Sequence, residues 1–176
     1  MGCACETTAN NPLRMIELPD GAAGTREVLK HMRGETRKDK RKAEIRHVAQ
    51  LIVRRVPAKN WTGEIAAVFN FVRARIRYSL DTNGIEVVQS ASVTLQLGYG
   101  DCDDLCVLLA TLLECLGHVC YFCAMGFEER GSFSHVIVLC SGAGETELIA
   151  LDPTESHAPG WIAPGATCLL IAPIEG

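Results

Sequence analysis

Two kinds of hydrophobic spacing divide the chain. Between Glu35 and Val56, apolar residues recur at helical intervals, with Ile45, Val48, Ala49, Ile52 and Val56 on one face and Pro57 beyond it. A second helical stripe, Ile65, Val68, Phe69, Val72 and Ile76, predicts a helix from about Thr62 to Arg77. After the DTNG break, the run IEVVQSASVTLQLGYG reads as an extended connector. Leu105, Leu108, Leu109, Leu112, Leu113 and Leu116 then form an apolar surface broad enough for a helix buried on most sides. Asp101 is its N-cap, Asp104 completes a weak capping box at N3, and Gly117 is its terminating glycine.

Beyond Gly117 the spacing changes. VCYFCAMGF, SFSHVIVLC and ELIALDP are short runs of strand formers separated by EERG and SGAGE, which predicts a three-stranded antiparallel meander. TCLLIAP offers a fourth strand. Helices first and strands after define an α+β fold. Residues 1–34 lack periodicity and contain turn material (NNP, LPDGAAG, RGE), so they read as an irregular N-terminal arm before a single domain over residues 35–176.

Composition changes this picture little. With 176 residues, 48% hydrophobic and 22% charged, the chain suits one globular domain with its own core. A net charge of -4 argues against a general nucleic-acid binder. The RKDKRK run carries five cations and one acid. It reads as a solvated helix face, with docking to an anionic partner through the helix 35–56 as the other role. No apolar run reaches the ~20 residues that span a bilayer. MGCACE lacks the Ser or Thr at position six that a myristoylation signal needs, and no signal peptide is evident. A cytoplasmic location and no membrane partner are the expectation. Nine cysteines, an odd number without an export signal, predict reduced thiols. Cys120 and Cys123 form a C-x-x-C inside an apolar strand, where residues three apart face opposite ways. This argues against zinc and thioredoxin-like chemistry, so neither a metal nor a cofactor is expected.

Chemistry concentrates at GYGDCDDLC. If Asp101 is the N-cap, Cys102 opens the helix, where unpaired N–H groups and the positive end of the helix dipole favour a thiolate. Asp103 and Asp104 oppose it, so a cationic partner is needed. His135, in SFSHVIVLC, is the candidate base. If the SGAGE turn is centred between Ala143 and Gly144, His135 lies directly opposite Asp152, with Cβ atoms about 4.5–5.5 Å apart. Asp152 would then orient the imidazole. His157, in a Pro/Gly-rich loop, is the weaker alternative base. Cys106, one turn along from Cys102, reads as a core residue or a partner for an oxidised Cys102.

The sequence GYGDCDDLCVLLATLLECLG, followed by SHVIV and ALDPT and preceded by IRYSLDTNGIEVVQSASVTLQLG, resembles the transglutaminase-like superfamily over residues 45–153. That resemblance implies a papain-like fold, with the nucleophile on a central helix packed against an antiparallel sheet. It assigns Cys102, His135 and Asp152 as the triad. Small bacterial, archaeal and phage members are the better match, because the calcium-binding region and flanking domains of animal transglutaminases are missing. The implied activity is acyl transfer through a thioester, most often hydrolysis of peptide or amide bonds in a protein or peptide substrate. Gln89 and Gln96 are candidate oxyanion donors beside the Cys102 N–H, and Tyr99 and Trp161 are candidate walls of a substrate cleft. The alternative is a catalytically inactive domain serving as a structural or assembly module, with a virion-associated role by analogy with phage relatives.

Overall fold

The computed structural model describes residues 20–80, 87–128 and 131–175. Residues 1–19 of the expected arm, the DTNG break and part of EERG lie outside them. The chain forms α1 (Gly21–Asp39), α2 (Ala43–Val53), α3 (Trp61–Arg75), β1 (Arg77–Tyr78), α4 (Ala91–Leu97), β2 (Tyr99–Gly100) and α5 (Cys102–Cys115). Four strands follow: β3 (Val119–Gly126), β4 (His135–Ser141), β5 (Ile149–Leu151) and β6 (Cys168–Pro173). They make an antiparallel sheet in the order β5-β4-β3-β6, while β1 and β2 pair in parallel. This is the expected α+β arrangement, with TCLLIAP as the fourth strand.

α5 is the centre of the molecule. Every residue from Asp103 to Leu113 is buried, and α1 to α4 pack around the helix while β3 and β4 cover its remaining side. Leu105, Leu108, Leu109, Leu112 and Leu113 are each at most 1% exposed. At about 1.5–3 kcal/mol per buried leucine, they contribute a gross stabilisation comparable with the whole net stability of a domain. The helix that carries Cys102 is therefore held rigidly.

Three expectations are corrected. The arm is not irregular throughout, because residues 21–39 are helical and Leu29 and Met32 are buried in the main core. Gly24 and Gly34 and the sparse apolar positions conceal this helix in the sequence; packing on α5 offsets their poor propensity. The single helix expected over 35–56 is two, broken at residues 40–42. Asp39 is fully buried there, paired with Lys42 at 2.7 Å and accepting the Ser92 N–H at 2.8 Å. Lys40 pairs with Glu114 at 2.9 Å and also with Glu175. Part of the basic run is thus occupied within the fold. The connector is not extended: residues 91–97 form α4, with Ala91 and Thr94 buried.

Candidate active site

The start of α5 is built by its acids. Asp101 Oδ1 accepts the N–H groups of Asp103 (3.0 Å) and Asp104 (3.2 Å). Asp104 returns the contact, its Oδ2 accepting the Asp101 N–H at 3.3 Å, which makes a full capping box. The other Asp104 oxygen accepts the Gln89 N–H at 2.6 Å. Gly100 is required for this: a Cβ there would lie 2.6 Å from the Asp104 Cβ. Gly98 ends α4 at φ 73°, a left-handed cap that turns the chain into α5.

Cys102 occupies the first helical position and is half-buried. Its thiol donates to Asp103 Oδ1 at 3.5 Å, and its sulfur accepts the backbone N–H of Val136, the chain neighbour of His135. The Val136 carbonyl in turn accepts the Cys106 thiol at 3.4 Å. Both backbone groups are available because the β4–β5 ladder ends at Val138 and Leu151. Continued, it would set Pro153 opposite Val136, and proline has no N–H to offer. The first turn of α5 fills this gap in the sheet, which brings the sulfur to β4.

His135 is the first residue of β4, and its Nε2 lies 2.8 Å from Asp152 Oδ2. The other Asp152 oxygen accepts the N–H (3.0 Å) and hydroxyl (2.7 Å) of Thr154. With Nε2 donating to a carboxylate, Nδ1 is left as the basic atom of the ring. The direct cross-strand pairing is corrected by two residues. Gly142 and Glu145 do close a turn around Ala143 and Gly144, but residues 145–148 leave the ladder. Val138 pairs with Leu151, so Asp152 falls opposite Ile137, diagonal to His135. A shift of two keeps both side chains on one face, and the hydrogen bond spans the diagonal.

The charges around the sulfur favour the thiol. Burial, then the carboxylates of Asp103 and Asp101, push its pKa far above the ordinary 9.0, and the Val136 N–H only partly opposes them. Burial and the carboxylates thus outweigh the helix terminus in the resting protein. Burial also raises Asp152, but hydrogen bonds from His135 and Thr154 prevail and hold its carboxyl below the ordinary 3.8.

Of the two glutamines, Gln89 is fixed against the first turn of α5 and its Oε1 is buried without a partner, whereas Gln96 is exposed on α4. Tyr99 is exposed on β2 opposite Arg77. Trp161 stacks on His157, with centroids 3.9 Å apart and planes at 17°. Asp152 is bonded to His135 and Thr154 rather than to His157. Cys120 lies in the main core opposite Cys140, and Cys123 on the other face of the sheet.

Tyr78 is a neighbour that sequence reasoning missed. It pairs with Gly100, and burial followed by the nearby carboxylates of Asp101, Asp103 and Asp152 raises its phenol above the ordinary value. A two-residue strand has no periodicity to reveal it. Tyr78 also borders a groove of about 310 Å³ that runs between the end of α3 and the loop after Asp152.

No family model matches the chain, and no curated protein matches it. Solved structures do. One, described as a "putative protease" from Parabacteroides distasonis, superposes with a TM-score of 0.54 at 12% identity, over 74% of this chain and 27% of its own. Another, described as a "putative cysteine protease" from Cytophaga hutchinsonii, gives 0.51 at 20% identity, over 73% of this chain and 45% of its own. This chain thus spans less than half the length of either. The chain shares the fold of these two proteins, a helix-wrapped central helix packed on an antiparallel sheet. Among the described residues, no helix is long and apolar enough to cross a membrane.

Proposed function

We propose that this chain is a cysteine-dependent acyl-transfer enzyme that hydrolyses peptide or amide bonds. The observation that carries the reading is the 2.8 Å bond between His135 and Asp152, one residue along β4 from the Val136 N–H that meets the Cys102 sulfur. In this reading the nucleophile, the base and the group that orients it come from α5, β4 and the end of β5.

In this reading Cys102 rests as a thiol and His135 acts as general base. Nδ1 takes the thiol proton as sulfur bonds to the carbonyl carbon, and Asp152 stabilises the imidazolium. The C–N bond then breaks, and the amine leaves with the proton from His135. Water, deprotonated by His135, attacks the thioester, releasing the acid and restoring the thiol. The oxyanion faces the Cys102 N–H at the helix start, with the Gln89 amide as the side-chain donor.

The test is the pH dependence of iodoacetamide alkylation, mapped by mass spectrometry. The reading expects Cys102 to react faster than half-buried Cys115 near neutral pH. His135→Ala should slow it about 100-fold, in the range of general-base effects, while His157→Ala leaves it unchanged. If Cys102 reacts no faster than Cys115 and His135→Ala changes nothing, the enzyme reading fails. An assembly or binding module would then be the better account.

A further inference from the structure

The groove beside Tyr78 has a chemical character of its own. It is lined by Arg73, Ile76, Arg77 and Tyr78 from the end of α3 and β1, by the loop from Pro153 to Ser156, and by Leu105 of α5. Three links set it next to the sulfur. Leu105 lies one helical turn from Cys102, Pro153 follows Asp152 directly, and Tyr78 pairs with Gly100, two residues before Cys102. Its volume of about 310 Å³ sits at the lower end of ligand pockets and suits one or two substrate side chains rather than a large ligand.

Two arginines border this space. Arg73 is oriented from behind: its Cζ lies 5.4 Å from the centroid of the Phe69 ring, and one Nη donates to the His157 carbonyl at 3.1 Å. Its remaining N–H groups are left for another acceptor. Arg77 makes no ion pair with any described carboxylate. Among the described lining residues Glu155, on the side of the loop after Asp152, is the single acid and is exposed; the carboxylates of Asp101, Asp103 and Asp152 act on Tyr78 but do not line the groove. Burial and nearby acids keep the Tyr78 phenol protonated, so it too donates. Donors therefore dominate the lining from α3 and β1, and Ile76 and Leu105 supply apolar lining for the stem of a side chain.

We propose that this groove is a specificity subsite for a carboxylate, held by Arg77 and Arg73 while the adjacent carbonyl is presented to Cys102. The proposal rests on the acyl-transfer reading and supplies its substrate class, peptides carrying an acidic residue or a terminal carboxylate next to the scissile bond. Guanidinium groups suit this task because they engage carboxylates through paired, charge-assisted hydrogen bonds.

The test uses the full chain with Cys102→Ser, so that binding is read without chemistry. Three N-acetylated pentapeptides of alanine are titrated by amide chemical-shift perturbation at low salt: one with a central Glu and an amidated end, one with a central Gln and an amidated end, and the Gln peptide with a free carboxylate end. The expected result is at least about tenfold tighter binding of one or both carboxylate peptides than of the neutral one, reduced by salt. The arm that binds names the source of the carboxylate. Shifts should centre on Tyr78, Arg77 and Ser156, and Arg77→Gln should bring the preference close to one. Equal affinities, no binding by any peptide, or a preference that survives Arg77→Gln together with Arg73→Gln would overturn the proposal. Carboxylate preference with an inert Cys102 in the alkylation assay would remove the enzyme reading alone. A reactive Cys102 without carboxylate preference would remove the subsite alone.

Discussion

Replacing Asp103 by Asn should make Cys102 more reactive, because the carboxylate stabilises the proton on the sulfur. The S–H donates to Asp103 Oδ1 at 3.5 Å, and Asp103 is only 6% exposed. A unit charge near this distance is worth about 1 kcal/mol in water and about 4 kcal/mol at the effective permittivity of a protein surface. The half-buried sulfur lies between these limits, so the thiol pKa should fall by about 1–3 units. Each unit raises the thiolate fraction tenfold below the pKa but lowers intrinsic nucleophilicity about threefold. The net gain in alkylation rate is therefore about three- to fortyfold. Iodoacetamide rates at Cys102 across a pH series, for wild type, Asp103→Asn and Asp103→Glu, measure it. Repeating the series in a His135→Ala background isolates the carboxylate from the base. If Asp103→Asn leaves both the rate and the midpoint of the profile where they were, the carboxylate does not govern the thiol and the electrostatic argument is wrong.

Two further predictions concern stability. The Asp152 carboxyl is held below 3.8 by His135 and Thr154, so its contribution is full above that pH and is lost as pH falls through the lower folded value. The stability gap between wild type and Asp152→Asn, from urea unfolding, should therefore hold steady above about pH 5 and narrow as pH falls below about 4; a gap that stays constant into that acid range would contradict the hydrogen-bond account. Asp101→Ala should cost about 1–2 kcal/mol by removing the cap from two N–H groups, and Asp101→Asn clearly less because it keeps an oxygen there. Equal losses for Ala and Asn in the same denaturation assay would mean that the cap does not hold the helix start.

What the sequence determined by itself was the chemistry of short range. The cap at Asp101, the place of Cys102 at the head of a leucine-rich helix and the glycine after it depend on residues a few positions apart, so they are legible from spacing. The hairpin arithmetic around the SGAGE turn likewise put His135 and Asp152 on one face, a parity that survives a register shift of two residues but not of one. Tertiary structure decided the rest. α1 is a helix because Leu29 and Met32 find α5, although its own sequence is polar and interrupted by glycine. The break after Asp39 exists because that carboxylate is buried between Lys42 and Ser92, residues from different elements. Tyr78 is brought beside the head of α5 by a parallel pairing with Gly100 that leaves no local pattern. Contacts between residues distant in the chain are fixed by the packing of whole elements, so no window of sequence contains them.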